Sequence, residues 1–215
     1  MPQSFALLVD IVRSRELSDR AAAQTAVRSA FDSAHQTFQV TRPIWATAGD
    51  EFQATYSSLY ATLAVTALVR LTLTESLDCR FGIGYGELRD IEERPDGVAI
   101  QDGSAWWNAR AAIEEGHKLE SHGYPYLRTW FVGNTTPDPV DTPVVNAYLH
   151  QRDHTISRMK AREKRLAAAM LSGDQQETIA RDERITQSAV SQNLQRSGAT
   201  ALAAGLELLT PRGDA

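Results

Sequence analysis

The chain begins with a short apolar run, and the segment after it has apolar residues at helical spacing. The run from Phe5 to Val12 is broken only by Asp10, and such a run predicts a buried strand. In the next segment Ser18 can cap a helix whose apolar residues recur at helical spacing as far as Phe38. The pattern therefore predicts one strand followed by one long amphipathic helix.

The following segments predict a hairpin, a second helix and a strand rich in glycine. Two short runs, 44–47 and 51–56, flank Ala48-Gly49-Asp50, where Gly-Asp suits a tight turn. Residues 58–77 have the period of a helix. The strand expected over 79–88 has glycine at alternate positions, which leaves one face bare for another element or a ligand.

A further short strand over 98–101 and a third helix, capped by Asp102 or Ser104 and ending near Leu119, complete this part. The predicted order is β-α-β-β-α-β, then a short strand and a helix. We therefore expect an α+β fold with a ferredoxin-like antiparallel sheet and helices on one face, followed by an all-α module.

Composition and charge change along the chain. A proline-rich loop predicts a linker over 135–150, between one domain over 1–134 and a helical domain over 151–215. The last 66 residues contain ten basic and eight acidic residues, whereas the preceding part contains twelve and nineteen. An acidic body with a basic appendage favours nucleic-acid binding by the appendage.

Several classes of protein are excluded by composition. Hydrophobic residues make up 42% of the chain, enough for a packed core, and no apolar run approaches the roughly 20 residues that span a bilayer. The N-terminus has no basic region of the kind that precedes a signal peptide. The single cysteine, Cys79, excludes an internal disulfide. We expect a cytoplasmic protein that does not insert into a membrane.

The C-terminal pattern is typical of a bacterial helix-turn-helix, with helices over 158–171, 175–182 and 187–197. Ile179, Ala180, Ile185, Val190 and Leu194 are the apolar residues expected to lock the last two helices together. A plain helical hairpin is the alternative, and Glu183-Arg184 stand in the turn, where glycine or asparagine is usual. The residues expected to contact DNA are polar and lie on or beside the third helix: Thr186, Gln187, Ser188, Ser191, Gln192 and Arg196.

Two acids are candidates for metal binding. Asp10 lies inside an apolar strand, where an unpaired carboxylate is costly, and Asp50 lies in the hairpin turn. The predicted fold makes them neighbours, so a divalent cation, Mg²⁺ or Mn²⁺, can lie between them with the carbonyl of Ile11. The alternatives are an Asp50 that bonds its own backbone and an Asp10 paired with an arginine. The residues after the strand can contact phosphate oxygens: Arg13, Ser14 and Arg15.

Four segments, 8–15 (LVDIVRSR), 48–53 (AGDEFQ), 80–86 (RFGIGYG) and 102–110 (DGSAWWNAR), resemble the SatD family. More distantly they resemble the catalytic fold of class III nucleotidyl cyclases and diguanylate cyclases. The resemblance implies metal ligands at Asp10 and Asp50, and nucleotide contacts from Gly49, Asn108 and Arg110.

The sequence departs from the cyclase pattern at three positions. Ala46 stands where ATP-specific cyclases carry lysine, Ala48 replaces a glycine, and Ala112 follows Asn108 at the spacing of a transition-state arginine. We therefore expect a transcriptional regulator that binds DNA as a homodimer and senses a nucleotide through a metal. An active nucleotidyl cyclase with a DNA-binding output and a scaffold that binds only protein are the alternatives.

Overall fold

The structure, a computed structural model, describes residues 3–47, 50–93, 99–133 and 141–209, with backbone alone for 92, 93, 99 and 100. Gly49 and residues 135–140 of the predicted linker lie outside the described residues. The elements follow in this order: β1 (Gln3–Ile11), α1 (Arg20–Thr37), β2 (Arg42–Ala46), β3 (Glu51–Tyr56), α2 (Leu59–Thr72), β4 (Cys79–Glu87), β5 (Arg89–Glu93), β6 (Ala99–Asp102), α3 (Ser104–Ser121), β7 (Thr129–Val132), α4 (Thr142–Arg158), α5 (Ala161–Leu171), α6 (Gln176–Asp182), α7 (Gln187–Arg196) and α8 (Ala199–Leu208).

Helix starts follow capping chemistry, with two corrections to the predicted caps. The side chain of Asp19, not Ser18, caps α1 by accepting the N–H of Ala22 at 2.9 Å. The N-cap of α3 is Gly103, whose φ of 142° is open to glycine but not to the predicted caps beside it. Ser58 caps α2. The predicted helix over 58–77 therefore begins as expected but ends earlier.

The main sheet has five strands in the order β2-β3-β1-β4-β7. The first three pairings are antiparallel, but β7 runs parallel to β4. The wholly antiparallel sheet predicted from the sequence is therefore wrong at this edge, because α3 provides the long crossover that a parallel strand needs. The strand expected over 98–101 forms as β6, and it pairs with β5 in a separate ribbon.

Helices cover both faces of the sheet, whereas the sequence analysis predicted helices on one face only. Successive residues of a strand point to opposite faces. Leu7 and Val9 of β1 belong to the main apolar core with α1 and α2, whereas Ala6 and Leu8 pack with Ala105 of α3. The bare glycine face of β4 is the surface that α3 covers. A Cβ on Gly84 would lie 2.8 Å from the backbone carbon of Asn108, so only glycine allows this approach.

The C-terminal helices pack against α2 and extend the main apolar core. That core includes Phe81 of β4, Leu63 of α2, Leu166 of α5 and Val190 of α7. The helix α4 begins inside the segment 135–150 that the sequence assigned to a linker. Its proline lies in the first turn, where the missing N–H breaks no helical bond.

None of the helices in the described ranges is long and apolar enough to cross a bilayer.

Candidate functional site

The acid of the first strand lies next to an arginine and a second acid. In the strand register, Asp10 faces Arg80 of β4 on one side and Glu51 of β3 on the other. Arg80 Nη1 lies 3.1 Å from Asp10 Oδ2. The alternative in which an arginine neutralises Asp10 therefore describes this contact, and a cation at Asp10 has to compete with Arg80.

The pKa of Asp10 reflects burial and neighbouring charges of both signs. Burial raises the pKa of the Asp10 carboxyl, Arg80 lowers it, and the charges of Asp50 and Glu51 raise it again, so that the pKa lies above its ordinary value. Asp50 is thus close enough to Asp10 to act on its charge. Burial, the largest of these effects, and the two neighbouring acids disfavour the charged carboxylate, whereas Arg80 already places one positive charge beside it.

A third acid, Glu51, lies at the same site, and the sequence analysis did not select it. Arg110 of α3 holds it through a two-pronged contact, with Nη1 2.7 Å from Oε2 and Nη2 2.9 Å from Oε1. The hairpin register could have revealed Glu51, because it lies directly opposite Asp10. Among the described side chains, no group of three His, Cys, Asp or Glu residues is arranged to hold a metal ion.

The residues expected to bind a nucleotide lie at different distances from Asp10. Arg13 and Arg15 are exposed beyond the end of β1, whereas Ser14 is buried. Asn108 donates its amide to the carbonyl of Tyr85 at 2.8 Å. Tyr85 is five register positions from Arg80, about 16 Å along the strand at ~3.3 Å per residue. The residues after β1 thus follow Asp10 closely in the chain, whereas Asn108 lies farther along the sheet.

A continuous series of ion pairs, here called the ionic chain, runs from Asp10 to the helix α4. Arg80 contacts Glu120 at 2.6 Å, and Glu120 contacts Arg128 at 3.0 Å. Arg128 and Arg70 both contact Asp78, at 2.8 Å and 3.2 Å. Arg70 then reaches Asp153 of α4 at 3.1 Å. The ionic chain therefore joins the first strand to α4, the helix that precedes the C-terminal helices α5 to α8.

The end of the ionic chain is buried. Arg152 and Asp153 are both inaccessible to solvent, and Arg152 Nη2 lies 2.9 Å from Asp153 Oδ1. The other oxygen of Asp153 accepts the backbone N–H groups of Arg128 at 2.8 Å and Thr129 at 2.6 Å. Arg152 donates to the carbonyl of Leu63 at 3.1 Å. These bonds fix α4 to β7 and α2.

The helices α6 and α7 form the predicted packing. Ile179, Ala180, Val190 and Leu194 are buried, as expected from their spacing, whereas Ile185 is only partly buried. Thr186 caps α7 by accepting the N–H of Ala189 at 3.2 Å. Other predicted DNA contacts are exposed on α7, namely Gln187, Ser188, Gln192 and Arg196, and Ser191 is partly buried.

The unusual residues of the turn between these helices have structural roles. Arg184 has a φ of 54°, the left-handed conformation that glycine or asparagine ordinarily supplies. Glu183 accepts two hydrogen bonds from Arg165 of α5, at 2.6 Å and 2.8 Å. The turn therefore keeps a tight geometry without glycine and is anchored to α5.

These features define a mixed α/β protein with an acidic site at one end of its sheet and a compact set of C-terminal helices. The chain belongs to the SatD family, whose profile matches residues 4–203. No protein of curated function matches the chain.

Proposed function

We propose that this protein is a DNA-binding transcriptional regulator whose N-terminal part senses a nucleotide through a divalent metal. The arrangement of α6 and α7 is the observation that carries the proposal. A tight left-handed turn at Arg184 joins two short helices that are locked by buried apolar residues. The second helix exposes Gln187 and Gln192. This combination is typical of a helix-turn-helix that inserts its second helix into the major groove.

The chemistry of the exposed face supports DNA as the partner. Glutamine pairs with adenine through two hydrogen bonds, and arginine pairs with guanine or a phosphate. The hydroxyls of Thr186 and Ser188 lie 3.0 Å apart at the start of α7, where a phosphate is electrostatically favoured. Helix-turn-helix proteins read symmetric half-sites, so the proposal includes a homodimer.

The strand order supports a relation of the N-terminal part to ferredoxin-like cyclase folds. The strands β2-β3-β1-β4 have antiparallel neighbours and are connected in the order β-α-β-β-α-β, and both features support the proposed ferredoxin-like plan. In this proposal Asp10, Asp50 and the carbonyl of Ile11 hold Mg²⁺ or Mn²⁺, and Arg13 and Arg15 contact phosphates. Binding without turnover is favoured, because Glu51 engages Arg110 and the Tyr85 carbonyl engages Asn108.

The DNA contacts are tested by the double variant Gln187→Ala with Gln192→Ala. Each two-bond contact to a base contributes about 1–3 kcal/mol, so we expect the affinity for selected DNA to fall at least about tenfold. The duplexes are those that the wild-type chain enriches from a random library, and affinity is measured by gel shift. The matched control is Gln36→Ala with Gln151→Ala, on exposed faces of α1 and α4. Equal affinity of the double variant and the wild type would contradict the proposal.

The metal site is tested by thermal unfolding with Mn²⁺ or Mg²⁺ and each of the four nucleoside triphosphates. A ligand at about 100 times its Kd stabilises the folded state by about 2.7 kcal/mol, which raises the Tm of the wild-type chain by several degrees. We expect Asp50→Asn to abolish this rise and Asp174→Asn, at an exposed turn, to preserve it. A rise that persists in both Asp50→Asn and Asp10→Asn excludes the carboxylate site.

A further inference from the structure

An open groove of about 450 Å³ lies between the start of α5 and the end of α7. Its lining side chains are mainly cationic and include Lys160, Arg162, Arg165, Arg196, Glu163 and Asn193. We propose that this basic groove is a phosphate-binding site that holds one backbone phosphate of the DNA lying on α7. The assignment of DNA as the source of the phosphate rests on the proposed function. The attraction of the groove for an anion does not depend on that function.

The positive charge of the basic groove is only partly neutralised. Glu183 holds Arg165 through two hydrogen bonds, and it lies 3.9 Å from Arg162. Within the described ranges, the structure shows no ion pair for Lys160 or Arg196. The carboxylate of Glu163 accepts the backbone N–H of Lys160 at 2.9 Å, at the start of α5. Four cations against two acids, Glu163 and Glu183, leave a net positive surface that attracts anions.

Polar groups of the groove also suit an oxyanion. Asn193 is partly buried, and its Oδ1 atom has no hydrogen-bond partner among the described residues. The amide of Asn193 also carries an N–H₂ donor, the kind of group from which an oxyanion accepts a hydrogen bond. The first turn of α5 adds backbone N–H groups and the positive end of an 11-residue helix. Lysine, arginine and amide groups are all hydrogen-bond donors, so they suit the two non-bridging oxygens of a backbone phosphate and do not suit a cation or an apolar group.

The basic groove adjoins the face proposed to contact DNA. Gln192 and Arg196 are one helical turn apart on α7, and Arg196 is also a lining residue of the groove. A duplex that contacts Gln192 therefore passes close to the groove with its sugar-phosphate backbone. Lys160 and Arg162, which lie before and within α5, become backbone contacts that the sequence pattern of α7 does not include.

The test uses a double variant, Lys160→Gln together with Arg162→Gln, here called the groove variant. It is compared with a control double variant that loses the same charge. The control combines Arg89→Gln with Lys118→Gln, two exposed cations on other elements. Affinity for one duplex is measured by fluorescence anisotropy between about 50 and 200 mM salt. We expect the groove variant to reduce the slope of log K against log salt by about 0.9 for the lost phosphate contact, with the control unchanged. We also expect its preference among sequences to be retained.

A second measurement separates the groove from the proposed function. Pyrophosphate alone is titrated against the full chain, and binding is read from the change in Tm. If the wild type binds DNA but the groove variant keeps its salt slope, or the control loses as much, the groove assignment is overturned and DNA binding stands. If no DNA binds but pyrophosphate stabilises the wild type and not the groove variant, the site is a free-anion site and the proposed function fails. Binding of neither ligand overturns both.

Discussion

Replacing Asp153 with asparagine is expected to lower the free energy of unfolding by about 3–5 kcal/mol. The side chain is inaccessible to solvent and lies beside the buried Arg152 and Arg70. Asparagine carries no charge for the two buried guanidinium groups. It also has one acceptor oxygen where the carboxylate had two, so its N–H₂ donor must face either the guanidinium groups or the backbone N–H groups of Arg128 and Thr129. Urea denaturation measures the loss.

The matched control is Asp182→Asn, because Asp182 pairs with Arg181 at the surface and both side chains are mostly exposed. An exposed pair contributes little, so its loss changes stability by about 0.5 kcal/mol or less. A similar small change in Asp153→Asn would show that the buried ion pairs do not hold the folded state together.

The stability contribution of Asp153 also has a definite dependence on pH. Burial raises the pKa of Asp153, but Arg152, Arg70 and the hydrogen bonds lower it by more, so that the folded-state pKa lies below its ordinary value. Because the folded-state pKa is lowered, ionised Asp153 contributes its full stabilisation when the pH is above the unfolded-state pKa of about 3.9. That stabilisation is lost as the pH falls through the folded-state pKa. The difference in stability between the wild type and Asp153→Asn should therefore shrink below about pH 4.

Replacing Gly84 with valine is expected to destabilise the protein by about 3 kcal/mol or more. A Cβ at this position lies under 3 Å from backbone atoms of α3, which cannot turn aside as a flexible side chain can. The helix has to move away from the sheet, and Ala105 and Ala109 lose their contacts with Leu8. Thermal and urea unfolding report the effect.

The control for this prediction is Gly116→Ala on the same helix. A Cβ at position 116 would lie 3.4 Å from the Cβ of Trp130, an ordinary contact. Alanine also has a helix propensity about 1 kcal/mol more favourable than that of glycine. We therefore expect Gly116→Ala to be neutral or stabilising. If Gly84→Val behaves in the same way, the close approach of α3 to β4 is not a requirement of the fold.

Local patterns predicted most of the secondary structure, because they depend on spacing and capping. The apolar residues of α7 and its Thr186 cap are examples, and so is the first strand. The face covered by α3 was not predictable, since alternate glycines fit a ligand as well as a helix. The parallel pairing of β7 also depends on a crossover that no local pattern specifies.

The acidic site was only partly predictable for the same reason. An acid within an apolar strand indicated Asp10, but its partner Arg80 lies 70 residues away and is brought near by strand register. Glu51 and the buried Arg152–Asp153 pair resemble ordinary surface charges in the sequence. Their environments are products of packing between distant elements.

The apolar core that runs from the sheet through α2 into the C-terminal helices makes the two ends of the chain one thermodynamic unit. Phe81 and Val190 belong to the same buried cluster. Anything that binds only the folded N-terminal part therefore also protects α7 against melting, without a change of shape. A chain cut before α5 would expose apolar surface on both pieces. We therefore expect the C-terminal helices to fold poorly when they are transferred alone to another protein.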